Sequence, residues 1–413
     1  MNTQESPTQD AASGPLKGVR VLDLTQFVLG PLTTQLLGDQ GADIVKVESP
    51  NGDLNRYIGP SRHPGMAALF LGMNRSKRSL VLDLKKPEGL ATLYRMVKQV
   101  DVFVHSVKAD AAERLGISYE DIRQHNDKII YASAPGFRSD GPMRNRPAFD
   151  DVMQGESGLV DMNRRASGES RFMPIVIADK FCGHVLASSI GMALYHRAQT
   201  GQGQSVEVPM LETLLSFNLV EHLWTGAFDD SKGELGYPRA LMDERRPFKT
   251  RDGEICLLAT SNLQWSRLLR LIGLPELFED ERFSTLAARS LHFPELYAKI
   301  TGAFRNRDTA DWQAMFDKDD IPNAPVRRLS DMPTDPYLTE TQFFHHYQHP
   351  KAGSLITPSI PVKYSESPAS IRMPPPCLGE HSEEILTEFG FSEKEIATLF
   401  DQSVVSLQED QND

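Results

Sequence analysis

Residues 19–48 read VRVLDLTQFVLGPLTTQLLGDQGADIVKVE, and this stretch decides the fold. Val19-Arg20-Val21-Leu22-Asp23-Leu24 has the apolar density of a buried strand, and Gly30-Pro31 opens a helix that runs through Leu37. Asp43-Ile44-Val45-Lys46-Val47-Glu48 is the next strand. Strand, helix and strand in this order join parallel strands of an open sheet. Further strands are expected over 79–84, 101–105 and 128–133, with helical stretches between most of them. The fold class is therefore α/β, with a doubly wound, Rossmann-like large domain. A dinucleotide reading would make Glu48 the ribose-binding acid. The turn Thr25-Gln26-Phe27-Val28-Leu29-Gly30, however, lacks the glycines that let a pyrophosphate approach the backbone.

Residues 172–213, FMPIVIADKFCGHVLASSIGMALYHRAQTGQGQSVEVPMLET, deliver one carboxylate, Asp179, to the start of a long helix. Gly183, Ala187, Ser188 and Gly191 recur about once per turn, so another backbone can approach that face. The helix is expected to stop at Thr200-Gly201 and to lead into a strand over 205–208. Asp179 has two compatible readings. It is a good N-cap residue, and the first-turn amides and helix dipole would keep the same carboxylate ionised and nucleophilic.

At 413 residues two domains are expected, and 40% hydrophobic with 24% charged residues describes an ordinary globular chain. Net charge of −12 argues against nucleic acid or an anionic membrane as partner, so a polyanionic ligand needs a locally basic pocket. Cys182, Cys256 and Cys377 form no CxxC pair and read as buried, reduced thiols of a cytoplasmic protein. His345, His346 and His349 lack carboxylates or cysteines at ligand spacing and read as surface residues, so no metal is expected. Residues 1–14 read as a disordered tail without signal-peptide features, and no apolar run approaches a membrane span. The polar run 161–171 reads as a loop, 228–246 as a linker, 247–334 as a small domain and 335–413 as a return to a large domain that begins at 15–227. Taken alone, the charge run Asn74-Arg75-Ser76-Lys77-Arg78 reads as a solvated face. Lys108 and Arg114 read as exposed cations, and His105 as a satisfied structural histidine.

From about Leu16 to about Leu399 the chain resembles the class III CoA-transferases, the group of carnitine CoA-transferase and formyl-CoA transferase. Ala178, Asp179, Phe181 and Gly183 match the Ala-Asp-x-Phe-x-Gly segment of the carnitine branch. The resemblance implies that Asp179 attacks the acyl-CoA thioester to form a mixed anhydride, after which CoA passes to an acceptor carboxylic acid. CoA is then a substrate, and no cofactor is implied. The family's Asn-x-x-Lys-Arg-Ser-x-x-Leu-Asp-Leu motif falls on residues 74–84, which places Leu82, Asp83, Leu84 and Lys85 along the nucleotide. By the same resemblance Lys108 and Arg114 hold CoA phosphates, Val28 and Leu29 touch CoA, and the Gly136-Phe137 turn packs near the thioester. It further implies a smaller α+β domain and a homodimer of interlocked subunits. His105-Ser106-Val107 stands where many relatives have Glu-Asn-Phe. No tetraglycine loop is present, which disfavours oxalate as acceptor. The related α-methylacyl-CoA racemases carry a proton-transfer histidine where this chain has Phe149, and phenylalanine cannot take a proton. Racemase or isomerase activity and a catalytically silent CoA-binding protein remain the alternative readings.

Overall fold

The structure is a computed structural model, and it describes residues 13–228 and 233–407. Most of the expected tail and part of the expected linker lie outside the described residues. The chain divides into two compact units. The first comprises residues up to 157, 174–216 and those from 337 onward; the second comprises 158–173 and 217–336.

Among the described residues, six strands build the sheet of the first unit: β1 (Arg20–Leu24), β2 (Asp43–Glu48), β3 (Lys77–Val81), β4 (Val102–His105), β5 (Ile130–Ser133) and β6 (Gln204–Glu207). Their order is β3-β2-β1-β4-β5-β6, and every pairing is parallel. The strand order reverses between β1 and β4, which opens the crevice where open α/β sheets place their ligands. Leu24, His105 and Ser133 sit side by side at that carboxyl edge. Apolar residues cover both faces. Phe103, Tyr131, Leu80 and Leu82 pack with the carboxyl-terminal helices Ser382–Glu388 and Glu393–Asp401, while Val21, Ile44, Val104 and Ala132 pack with Leu186 and Ile190 of the helix Ile177–Thr200. That long helix ends at Gly201 in the left-handed conformation (φ 75°), as its sequence signals. It packs on the helix Leu29–Asp39 so closely that a Cβ at Gly183 would lie 2.8 Å from the Leu29 carbonyl oxygen.

The second unit holds an antiparallel sheet of β7 (Phe248–Lys249), β8 (Glu254–Leu257) and β9 (Asn323–Pro325), with Trp265, Trp312, Phe283, Phe304 and Phe316 at its core. Of residues 161–171, only 168–171 are the loop expected from their polarity. Leu159–Ser167 is a helix, bounded by left-handed Gly158 and Gly168. None of its residues is buried, and polar residues outnumber apolar ones along its short length.

The basic run before β3 is likewise no solvated face. Arg75, Lys77 and Arg78 are buried, each on an acid. Lys77 Nζ donates to Asp23 Oδ2 at 3.2 Å, to the Pro31 carbonyl and to Asn74 Oδ1. Burial drives its pKa down to about 8, against the pull of Asp23. Lys46 bridges Asp53 (3.0 Å) and the Thr25 carbonyl. Glu48 is held by Arg56 through two hydrogen bonds of 2.8 and 2.6 Å and by Ser79. It is fully engaged and holds no ribose. Two further expectations are corrected. Cys182 alone is buried, whereas Cys256 is exposed and Cys377 is intermediate. His349 is buried rather than superficial. Its Nδ1 accepts the amides of Lys351 and Ala352, and Nε2 lies 2.8 Å from the Pro375 carbonyl.

Candidate active site

Asp179 lies in the first turn of the long helix but does not cap it. The N-cap position belongs to Val176, and Asp179 follows three residues later. The cap comes instead from another helix, Asp150–Glu156. Asp150 Oδ1 accepts the Asp179 amide at 3.0 Å, across 29 residues of sequence. Asp150 is buried, and its other oxygen accepts Gln154 Nε2 at 2.6 Å. Gln154 also reaches the Ile175 carbonyl, which ties the approach to the long helix to the same pair.

This arrangement reverses the expected electrostatics. Burial, and then the Asp150 carboxylate, raise the pKa of Asp179 from 3.8 to about 7. A helix N-terminus favours an anion by about 0.3–1 kcal/mol, which is less than these two effects together. Cys182, one turn further, has its thiol pushed up to about 12 by burial and by the same two aspartates. It stays protonated, so the carboxylate is the nucleophile on offer. Sequence reading missed Asp150 and Gln154. The one signal available was an Asp-x-x-x-Gln spacing at a helix start, which is common in helices that have no chemistry.

The remaining sequence-derived positions fall on the turns after β1, β3, β4 and β5, all at the carboxyl edge. Val28 and Leu29 are buried, and so are Leu82 and Phe137, which leaves their backbones rather than their side chains to meet a ligand. Asp83 and Leu84 are half-buried, and Lys85 is exposed. Gly136 is required by contact, since a Cβ there would fall 2.0 Å from that of Ala148. Lys108 and Arg114 are exposed at the two ends of the helix Ala109–Leu115, with Lys108 Nζ on the Asn145 carbonyl. His105 is not the satisfied histidine expected. It is buried against Tyr131 (5.0 Å between rings), and neither ring nitrogen has a hydrogen bond. Burial lowers its pKa to about 4, with only the Val107 backbone pulling the other way, so it is neutral at pH 7 and only a weak base. Among the described residues no cluster of His, Cys, Asp and Glu could hold a metal ion.

A doubly wound sheet with turns at its carboxyl edge and a pair of carboxylates, one buried and one half-buried, is the layout of a group-transferring α/β enzyme. The chain belongs to CoA-transferase family III, which it matches over residues 16–382, and it is a CoA-transferase. It is 31% identical to a probable fatty acyl-CoA transferase of Mycobacterium tuberculosis, over 91% of this chain and 98% of that one. It is 30% identical to a succinyl-CoA:glutarate CoA-transferase of Mus musculus, over 91% and 86%. A crystal structure of a CAIB/BAIF family protein from Brucella suis superposes with a TM-score of 0.76 at 28% identity, covering 91% of this chain and 100% of that one.

Removing the charge of Asp150 has a predictable consequence. Asp150→Asn still offers an oxygen to the Asp179 amide but no longer repels its carboxylate. The acidic limb of kcat/KM is expected to move from near pH 7 to lower pH, read from a pH–rate profile of CoA exchange. An unmoved limb would leave burial as the whole cause.

Proposed function

We propose that this enzyme moves CoA from an acyl-CoA donor to a carboxylic acid through a mixed anhydride on Asp179. The observation that carries this is the half-buried Asp179 at a helix start, made more basic by its surroundings and hence a better nucleophile once ionised. An Asp179 oxygen bonds to the thioester carbonyl carbon, the C–S bond breaks, and CoA leaves as thiolate. The thiolate then attacks the Asp179 carbonyl carbon and releases the first acid, leaving CoA on the enzyme as a thioester. The acceptor carboxylate displaces CoA to form a second anhydride, whose acyl carbon the thiolate finally captures. Anhydride and thioester are similarly activated, so no ATP is consumed. Phe149 leaves racemisation without a base at that position. The test is mass-spectrometric detection of exchange between a panel of acyl-CoAs and carboxylic acids. Failure of every pair would sink the reading.

We place CoA along the turns at 28–29, 82–85 and 136–137, with Lys108 and Arg114 on its phosphates. Their exposure and sparse pairing support this, because the charges are available. Alanine at either is expected to weaken CoA binding by about 1–3 kcal/mol, measured calorimetrically, and wild-type affinity should fall with salt. Equal affinity in wild type and both variants would take these residues out of the site. The subunits are further proposed to interlock as a homodimer in the cytoplasm. Met192 and Tyr195, each 69% exposed on the long helix, are apolar surface suited to a partner copy. A dimer should therefore persist at nanomolar concentration by mass photometry, and a folded monomer would contradict interlocking. Among the described residues no helix is long and apolar enough to cross a membrane.

A further inference from the structure

Asp150 is already engaged with the Asp179 amide and with Gln154, and the segment that carries Asp150 and Gln154 exposes apolar side chains. Phe27, in the turn after β1, has a left-handed backbone (φ 66°), which a bulky residue rarely adopts. It is held there at both ends. Its amide donates to Asp53 Oδ1 at 3.2 Å, and its carbonyl accepts from Asn55 Nδ2. Asp53 and Asn55 are themselves buried and anchored, Asp53 by Lys46. The strained turn presents the Phe27 ring edge-on to Phe149, with centroids 5.3 Å apart and planes at 82°. Phe149 immediately precedes Asp150, whose oxygen binds the Asp179 amide, while Leu29, two residues after Phe27, lies against Gly183 one turn below Asp179. Two independent contacts therefore tie the segments that carry this aromatic pair to the first turns of the helix that carries Asp179.

The surroundings continue the pattern. Phe149 is 57% exposed, and Val152 and Ile175 are also exposed although apolar. The arginines of the preceding loop are committed elsewhere: Arg138 to Asp140, Arg144 to Asp110 and Arg146 to Glu156. Among the described residues, burial and Asp150 account for the acidity of Asp179, and no Lys or Arg offsets them. A second carboxylate on the acyl chain would meet aromatic carbon and two acids, without a cation to pair with.

We infer that the acyl groups handled at Asp179 are uncharged, apolar chains of monocarboxylic acids, and that Phe149, set by Phe27, is the residue that selects them. This rests on the transferase reading above. The test compares kcat/KM for hexanoyl-CoA and adipyl-CoA, which have equal carbon number and differ by one terminal carboxylate, with acetate as common acceptor. Wild type is expected to prefer hexanoyl-CoA by about 100-fold or more, the scale on which a site rejects a group it cannot pair. Phe149→Arg should shrink that ratio at least about tenfold by supplying a cation, and Phe149→Leu should keep it; the milder variant guards against loss of folding. Equal or faster use of adipyl-CoA by wild type would overturn the inference. So would an unmoved ratio in folded Phe149→Arg whose dimerisation alone is altered, since that marks the apolar patch as a subunit interface. Exchange from neither donor, nor from any other acyl-CoA, would instead overturn the transferase reading on which the inference stands.

Discussion

Asp179→Asn is expected to abolish CoA exchange, by at least about 10³-fold in kcat, while the protein stays folded and binds CoA. The amide has no anionic oxygen to attack a thioester, and removal of a nucleophile costs orders of magnitude rather than factors. Because Asp150 and not Asp179 provides the helix cap, Asp179→Ala should also fold normally, unlike a true cap deletion. Both variants should be more stable than wild type at pH 8. The folded pKa of about 7 lies above the ordinary 3.8. Folding therefore takes up a proton between these values, and the cost of Asp179 grows as pH rises from about 4 to about 7 and is constant above. Its removal is expected to raise stability at pH 8 by about 1–2 kcal/mol, allowing for partial exposure, and to change little at pH 4. In wild type kcat/KM should rise with pH through about 7 as the carboxylate ionises. Near-normal exchange by the Asn variant, with deamidation excluded by intact mass, would remove Asp179 from the chemistry.

Arg56→Ala is expected to be the most destabilising of the simple truncations, by about 3–5 kcal/mol in denaturant unfolding. Arg56 is fully buried. Besides its two bonds to Glu48 it donates to the carbonyls of Gly65 and Pro376, and its guanidinium lies 3.8 Å from the Phe70 ring centroid. Truncation strands the Glu48 carboxylate in the interior beside Asp53. Burial pushes Glu48 upward, but Arg56, Lys46 and Ser79 together hold it below the ordinary carboxylate range. Without Arg56 that balance fails, and Glu48 must take up a proton or open the structure to water. The double variant Arg56→Met, Glu48→Gln should recover much of the loss, because the desolvated charge leaves with its partner. A single variant as stable as wild type would mean that Glu48 finds another partner.

Local pattern by itself determined the order of strands and helices in the first unit. Strands buried on both faces show as apolar runs, and a parallel sheet leaves the chain little choice of connection. The same pattern put one aspartate at the start of a long helix, and Gly201 marked where that helix ends. Contacts across many residues decided the rest. Lys46, Lys77 and Arg78 look solvent-seeking as letters, and they are buried because acids from other segments neutralise them there. Leu159–Ser167 passed for a loop because it is short and rich in polar residues, with none of its residues buried. Above all, the acidity of Asp179 is a tertiary property. In isolation a carboxylate at a helix start is a stabilised anion; the low-dielectric surroundings and Asp150, brought from 29 residues away, turn it into a group that titrates near neutrality. Sequence can point to the carboxylate, but desolvation and the proximity of a second charge exist only once the chain has folded.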